Sequence, residues 1–204
     1  MPSAALLGQS VLAGIFAGAL YGLLGLGLTL AWGLLRQINL AHFALVFLGG
    51  YLSYQLAAAG LDPLVTLAVA GALALGMWAL LRYTDLGRAL RATAEDAPMA
   101  AAFGVNHKLL SLLLSGLCGA FAAVAGTCLA LSYTLAPSQL YAWIGVVFAV
   151  VMIGGLGNPL GPLLAGLAIG ISEALTMALT APAWAPLVSF SLLIGALLIR
   201  PEKF

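Results

Sequence analysis

One residue in this sequence could do ionic chemistry within a long apolar segment. Glu173 is the only acidic residue of the stretch 109–199. An ionisable group inside a membrane-spanning helix costs about 3 kcal/mol or more unless it is paired, so it is a functional candidate by default. Two structural alternatives remain open from the sequence. The carboxylate could bond locally to Ser172 or Thr176, or it could reach the outer interface.

Two polar interruptions of apolar sequence are the other candidates. They are Arg36-Gln-Ile-Asn-Leu-Ala-His42 and Gly154-Gly-Leu-Gly-Asn-Pro-Leu-Gly161. Non-helical backbone at membrane depth is tolerated only where protein or water covers it, so both segments could line a path and face each other across it. The alternatives are a cytoplasmic turn and a tight surface turn. The candidate path residues are Asn39, His42, Gly154, Gly155, Gly157, Asn158 and Glu173.

The motifs of hydrolytic and nucleotide chemistry are missing. We find no HExxH pair, no Ser/His/Asp order and no GxxxxGK[ST] phosphate loop, so no catalytic, cofactor or metal site is expected. Cys118 and Cys128 lie ten residues apart in one apolar run. On a helix that spacing separates them by about 15 Å, too far for a disulfide.

The composition excludes a water-soluble globule. Of the 204 residues, 64% are hydrophobic and 6% charged, against about 25% charged in soluble domains. A net charge of +1 also excludes nucleic-acid binding through a basic field. The exterior of this protein must therefore face lipid.

The elements that position these residues are predicted to be apolar helices. A bilayer crossing takes about 20 mostly apolar residues, and the charge-free stretches accommodate about seven. The fold class is thus an all-α, polytopic membrane helix bundle, in which the first and fifth spans could be broken or re-entrant. The predicted spans are 5–34, 40–60, 63–82, 109–133, 141–156, 160–180 and 183–199.

Charge placement predicts the orientation. Seven of the thirteen charged residues lie in 82–108, and the positive-inside rule puts that loop in the cytoplasm. Arg200 and Lys203 predict a cytoplasmic C-terminus. The acidic Asp62-Pro63 turn is expected outside.

Glycines predict where the helices touch. Gly14, Gly18 and Gly22 recur at every fourth position on one face, and Gly157/Gly161 and Gly166/Gly170 repeat the spacing. Small residues at this spacing let helices approach closely in lipid.

The loop 82–108 is not a passive linker. Leu86, Leu90, Ala94 and the segment 97–103 place apolar groups at helical spacing beside charged residues, with Gly104 as a stop. The pattern predicts one short amphipathic helix. That helix could lie on the membrane surface or dock to another protein.

Four blocks resemble permeases of the branched-chain amino acid ABC transporter family. They are Gly25 to Tyr51, Gly87-Arg-Ala-Leu-Arg-Ala-Thr-Ala-Glu-Asp96 with Gly104-Val-Asn106, Val151 to Glu173, and Leu198-Ile-Arg-Pro-Glu202. Relative to the family pattern, a segment large enough for two or more helices is missing between Tyr51 and Arg82. Phe43 and Lys203 stand where the family usually has glycine.

The resemblance implies a single permease domain over 1–204. The loop 82–108 would couple to ATPase subunits through Arg88, Arg91, Glu95, Asp96 and Gly104. The implied partners are ATPase subunits that hold ATP and Mg²⁺, a second permease subunit, a solute-binding protein and the lipid of a bacterial inner membrane.

Other functions stay open from the sequence. Within the resemblance, the substrate could be a branched-chain or other hydrophobic amino acid, urea or a short amide. Outside it, the chain could be a secondary transporter with Glu173 as its ion-coupling acid. An intramembrane enzyme is the weakest alternative, because the catalytic motifs are missing.

Overall fold

The apolar segments fold as the helices that the sequence predicts. The computed structural model describes residues 3–35, 38–136, 140–156 and 160–199. Within them the chain forms nine α-helices and a short 3₁₀ helix over Pro182–Trp184. The helices are α1 Ala4–Leu35, α2 Ala41–Ala58, α3 Pro63–Tyr83, α4 Asp85–Glu95, α5 Ala97–Ala102, α6 His107–Ser132, α7 Leu140–Gly154, α8 Leu160–Leu179 and α9 Ala185–Ile199.

This architecture confirms the predicted all-α membrane bundle. Three helical segments in the described part of the chain are long and apolar enough to cross a membrane: Ala5–Gly33, Lys108–Ser132 and Leu160–Leu179. Trp143–Gly154 and Pro182–Leu198 are apolar but shorter. The count of seven crossings stays a prediction.

The first predicted span is not broken. α1 runs through 32 residues without interruption, about 48 Å at 1.5 Å per residue. The hydrocarbon core is about 30 Å thick, so α1 either tilts or extends beyond it. The fifth predicted span corresponds to the 15-residue α7, which is shorter than an upright crossing needs.

The helix ends follow ordinary capping chemistry. Asp62 Oδ1 accepts from the backbone N–H of Leu64 at 2.8 Å and precedes Pro63, the first residue of α3. After α2, Gly60 has φ +95°. Its N–H bonds the carbonyl of Ala57, and the next N–H bonds that of Leu56, the Schellman arrangement that only a residue tolerant of positive φ closes without strain.

The chain divides into two compact units, and the division falls within α1. Unit 1 comprises Met1–Thr29 and Ser138–Phe204, and unit 2 comprises Leu30–Pro137. Unit 1 has a buried core of Ala149, Val150, Ala165 and Ile169, contributed by α7 and α8. In unit 2, α6 packs against both α2 and α3.

The predicted glycine faces meet in unit 1. A methyl group on Gly18 would lie 2.6 Å from the carbonyl oxygen of Gly166, and one on Gly22 would lie 2.8 Å from Cα of Leu163. Gly14 faces Gly170 in the same way. Because ascending positions on α1 meet descending positions on α8, the two helices run antiparallel with their backbones in contact.

Unit 2 contains a parallel counterpart. A methyl group on Gly49 would lie 2.5 Å from Cα of Ala123. Four residues further along each helix, the hydroxyls of Ser53 and Thr127 share a hydrogen bond of 2.8 Å. α2 and α6 therefore run in the same direction.

We expect a single added methyl to separate these contacts from a non-contact glycine of the same helix. Gly18→Ala should cost about 1–3 kcal/mol, because the added methyl would meet backbone atoms of Gly166 and Leu167, which cannot rotate away. Gly8→Ala is the matched control, since nothing lies within 4 Å of its added Cβ. It should be neutral or stabilising by up to about 1 kcal/mol.

The measurement is unfolding of the detergent-solubilised protein, followed by circular dichroism. Equal stability of the two alanine variants would contradict close packing of α1 on α8.

Candidate functional site

The loop between α3 and α6 folds into α4 and α5. α4 packs against α3, α5 and α6, and it buries Leu90 and Thr93 on its inner face. Its outer face exposes Arg88, Arg91 and Glu95. Arg88 pairs with Asp85 one turn earlier, and its Nε donates to Oδ1 at 3.1 Å. Both side chains are exposed, so the pair adds little stability.

The prediction of one continuous amphipathic helix is wrong, because the helix stops at Asp96. Pro98 has no N–H to donate to the carbonyl four residues back, and its ring would clash there, at a cost of about 3 kcal/mol. The chain instead turns at Asp96, whose Oδ1 accepts from the N–H of Met99 at 3.0 Å and starts α5.

The predicted stop at Gly104 is confirmed. Gly104 has φ +85°, and it closes α5 through bonds from its N–H to Ala101 and from Val105 to Ala100. The α4–α5 pair leaves two large apolar side chains outside, Met99 at 57% and Phe103 at 83% exposure. Its outer surface thus combines charge with exposed apolar area.

The first predicted break is the connection between α1 and α2. Arg36 lies outside the described residues. Asn39 Oδ1 accepts from the N–H of Ala41 at 3.0 Å, and its carbonyl accepts from His42 N–H at 3.1 Å. The Asn39 side chain therefore helps to start α2. His42 is buried and packs edge-on against the Phe43 ring, with centroids 5.7 Å apart.

The second break joins α7 to α8. A methyl group on Gly154 would lie 2.5 Å from the carbonyl carbon of Gly161, so the two helix ends touch through their backbones. Gly155 follows with φ +83°. The predicted path residues Gly157 and Asn158 lie outside the described part of the chain. Asn39 and His42 belong to unit 2 and Gly154 and Gly155 to unit 1, so their facing across a path stays a prediction.

Glu173 has partners on two other helices of unit 1. It is buried at 6% exposure on α8. Tyr21 of α1 donates its hydroxyl to Oε2 at 2.9 Å, and Ser189 of α9 donates to Oε1. The Tyr21 ring packs edge-on against Trp143 of α7, with centroids 5.8 Å apart. Glu173 thus joins α8 to α1 and α9, and the Tyr21 ring adds a contact with α7.

The local partners considered for Glu173 are wrong. Ser172 donates to the carbonyl of Ala168 at 2.7 Å, and Thr176 donates to that of Ser172 at 2.8 Å. Both hydroxyls therefore bond their own helix. Sequence reasoning missed Tyr21 and Ser189, although Tyr21 is the only tyrosine of the first apolar run.

Among the residues that the structure describes, no three His, Cys, Asp or Glu side chains cluster in a way that could hold a metal ion.

The comparison with known families decides the class of the protein. The model of the branched-chain amino acid transport system permease component matches residues 68–197, well over half of the chain. The chain belongs to this permease family. The match and the apolar helices together make it a multi-pass membrane protein.

Individual relatives of this chain carry the same family description. It is 37% identical over 128 residues to the high-affinity branched-chain amino acid transport system permease protein LivH of Escherichia coli, covering 62% of this chain and 42% of LivH. The identity to BraD of Pseudomonas aeruginosa, a permease protein of the same description, is 33% over 127 residues, or 62% of this chain and 41% of BraD.

A similar relative occurs in Methanocaldococcus jannaschii. Its probable branched-chain amino acid transport permease protein LivH is 34% identical over 136 residues, covering 63% of this chain and 43% of the relative. The chain thus matches less than half the length of these curated relatives. No solved structure matches it significantly.

We expect the Glu173 cluster to stabilise unit 1 of the permease. Tyr21→Phe keeps the ring against Trp143 but removes the donor to a buried carboxyl oxygen, which should cost about 1–3 kcal/mol. The control is Tyr141→Phe, because the Tyr141 side chain is exposed and the loss of its hydroxyl should be neutral.

A double-mutant cycle between Tyr21→Phe and Glu173→Leu measures the pair itself. Unfolding of the four detergent-solubilised proteins should give a coupling energy between Tyr21 and Glu173 of about 1 kcal/mol or more. A coupling energy near zero would mean that the hydrogen bond contributes nothing to packing.

Proposed function

We propose that this chain is the membrane-spanning permease subunit of an ABC importer for branched-chain or other hydrophobic amino acids. It would form the substrate path, while separate subunits hydrolyse ATP. The single observation that supports this most is the family match over 68–197, which includes α4 and α5. The chain would then be a transport subunit with no catalytic site of its own.

The outer surface of α4 and α5 is the proposed contact with the ATPase. The inner side of α4 and α5 is fixed to the rest of unit 2, because Leu90 and Ala100 are buried and α4 packs on α3 and α6. The outer surface offers the exposed side chains of Arg88, Arg91, Glu95 and Asp96 for polar contacts and Phe103 as an exposed aromatic residue. Arginine and aromatic residues are enriched at protein interfaces. A surface fixed to two membrane helices can transmit movement to them.

The remaining partners follow from the same proposal. A second permease subunit would complete the path, a solute-binding protein would deliver the substrate, and the lipid bilayer would cover the apolar exterior. ATP and Mg²⁺ would bind at the ATPase subunits and not at this chain. The protein would be located in the bacterial inner membrane, with the α4–α5 loop and the C-terminus in the cytoplasm. No nucleic acid is involved.

The contacts of Glu173 support this proposal over an ion-coupled secondary transporter. A coupling acid must exchange its ion with water during transport, whereas both oxygens of Glu173 accept from hydroxyls on neighbouring helices. Such contacts favour a role in holding α1, α8 and α9 together. Permeation of urea or short amides remains the competing substrate class within the family.

Charge reversal on α4 tests the ATPase contact. Arg88→Glu with Arg91→Glu should abolish co-purification of the ATPase, because two exposed cations become anions on the proposed interface. Membrane insertion and detergent stability should not change, since both side chains are exposed. Lys108→Glu, a single reversal just beyond α5, should leave the ATPase bound. Retention of the ATPase by the double variant would refute this contact.

The proposed orientation is tested by single-cysteine labelling. In a background carrying Cys118→Ala and Cys128→Ala, an impermeant maleimide should label Ala59→Cys, an exposed position in the turn before Asp62, in intact cells. It should label Glu95→Cys only after permeabilisation, because α4 would face the cytoplasm. Glu95 is exposed and, unlike Asp96, caps no helix. Labelling of position 95 in intact cells would contradict the proposed orientation.

A further inference from the structure

A cleft of about 510 Å³ lies in unit 2, between the second half of α2 and the end of α6. This volume is within the range of small-molecule sites, about 300–1,000 Å³. Its lining residues are Tyr51, Tyr54, Ala130, Leu131, Ser132, Tyr133, Thr134 and Leu135. Three of the eight are tyrosines, and none carries an ionised group.

The walls of the cleft are fixed by specific contacts. Tyr51 donates its hydroxyl to the carbonyl of Leu135 at 3.3 Å, which ties the segment after α6 to α2. Gly50 leaves room for the Leu135 side chain, since a methyl there would lie 2.9 Å from its Cδ1. Below the cleft, the Ser53–Thr127 hydrogen bond and the contact of Gly49 with Ala123 hold α2 against α6.

The end of α6 gives the cleft its electrostatic character. Tyr133 N–H donates to the carbonyl of Leu129 at 2.8 Å, and the helix ends there. The carbonyls of Ala130, Leu131 and Ser132 come after the last carbonyl that an intrahelical donor reaches. All three residues line the cleft. A helix C-terminus carries about half a negative charge, so this wall attracts a cation and repels an anion.

The tyrosines add a second attraction for cations. Their ring faces carry negative charge density, which binds ammonium groups. Tyr51 and Tyr54 are 41% and 66% exposed and Tyr133 is 42% exposed, so ring surface is open to a ligand. Carbonyl oxygens and aromatic faces together are the groups that recognise an organic ammonium.

We infer that this cleft binds the ammonium group of a small amine or amino acid. It lies at the far end of α6 from α4 and α5, about 39 Å away for a 26-residue helix. That distance exceeds the hydrocarbon thickness of a bilayer. As an entrance for an amino-acid substrate on the outer face, the cleft rests on the proposed function. The preference of the cleft for an ammonium group does not depend on the proposed function.

The test measures binding directly, on the full chain in lipid nanodiscs with ring-¹³C-labelled tyrosine. The probes are leucine, 3-methylbutylamine, which lacks the carboxylate, and 4-methylpentanoate, which lacks the ammonium. Leucine and the amine should shift the resonances of Tyr51, Tyr54 and Tyr133, and the acid should not. Equal shifts with the acid, or no shift with the amine, would overturn the inference.

Variants of Tyr54 separate cation binding from membrane anchoring, for which interfacial tyrosines are also used. Tyr54→Leu should raise the apparent Kd for the amine about three- to tenfold, and Tyr54→Phe should change it less than about twofold, because the ring face is kept. The control Tyr141→Leu removes an exposed tyrosine outside the cleft and should have no effect. An unchanged Kd in Tyr54→Leu, or an equal loss in the control, would overturn the inference.

Uptake by the chain assembled with an ATPase and a solute-binding protein is measured separately. Amine binding without leucine uptake would contradict the proposed function and leave the cleft intact. Leucine uptake that is unaffected by Tyr54→Leu, with no amine binding, would contradict the cleft alone.

Discussion

The structure depends on backbone contact between helices through glycine. In lipid, apolar side chains gain nothing by meeting each other, so association relies on close packing. α1 approaches α8 through Gly14, Gly18 and Gly22, and α2 approaches α6 through Gly49 and Gly126. The first pair is antiparallel and the second parallel. The Tyr21–Glu173 and Ser53–Thr127 hydrogen bonds lie between helices that these glycine contacts hold together.

Polar groups follow the same constraint, because an unsatisfied group in lipid costs several kcal/mol. A serine or threonine hydroxyl can donate to the carbonyl one turn back on its own helix, as Ser172 and Thr176 do. A carboxylate has no donor on its own helix backbone. Glu173 therefore takes Tyr21 and Ser189 from α1 and α9. Glu173 thus links α1, α8 and α9.

What the sequence could predict follows from the range of each interaction. Helix ends depend on neighbours a few residues away, and all seven apolar segments end within two residues of their predicted limits. The interruption at Asp96 could have been predicted as well, since Pro98 excludes a continuous helix. The apolar periodicity alone indicated a single helix. The partners of Glu173 could not be predicted, because 152 and 16 residues separate it from Tyr21 and Ser189. Periodicity shows which face is small, but not which hydroxyl a distant helix brings to an acid.

α6 connects the two candidate surfaces of unit 2, which are the outer surface of α4 and α5 and the cleft lined by Tyr51, Tyr54 and Tyr133. Its first turn is capped by Asn106, which bonds the N–H groups of Lys108 and Leu109 and follows directly from α5. Its last turn forms a wall of the tyrosine cleft. Between them, Gly126 contacts the backbone of Val46 on α2. Close-packed backbones cannot slide past each other without steric overlap. The Ser53–Thr127 hydrogen bond holds α2 and α6 in this register, so a movement of α6 would carry α2 with it.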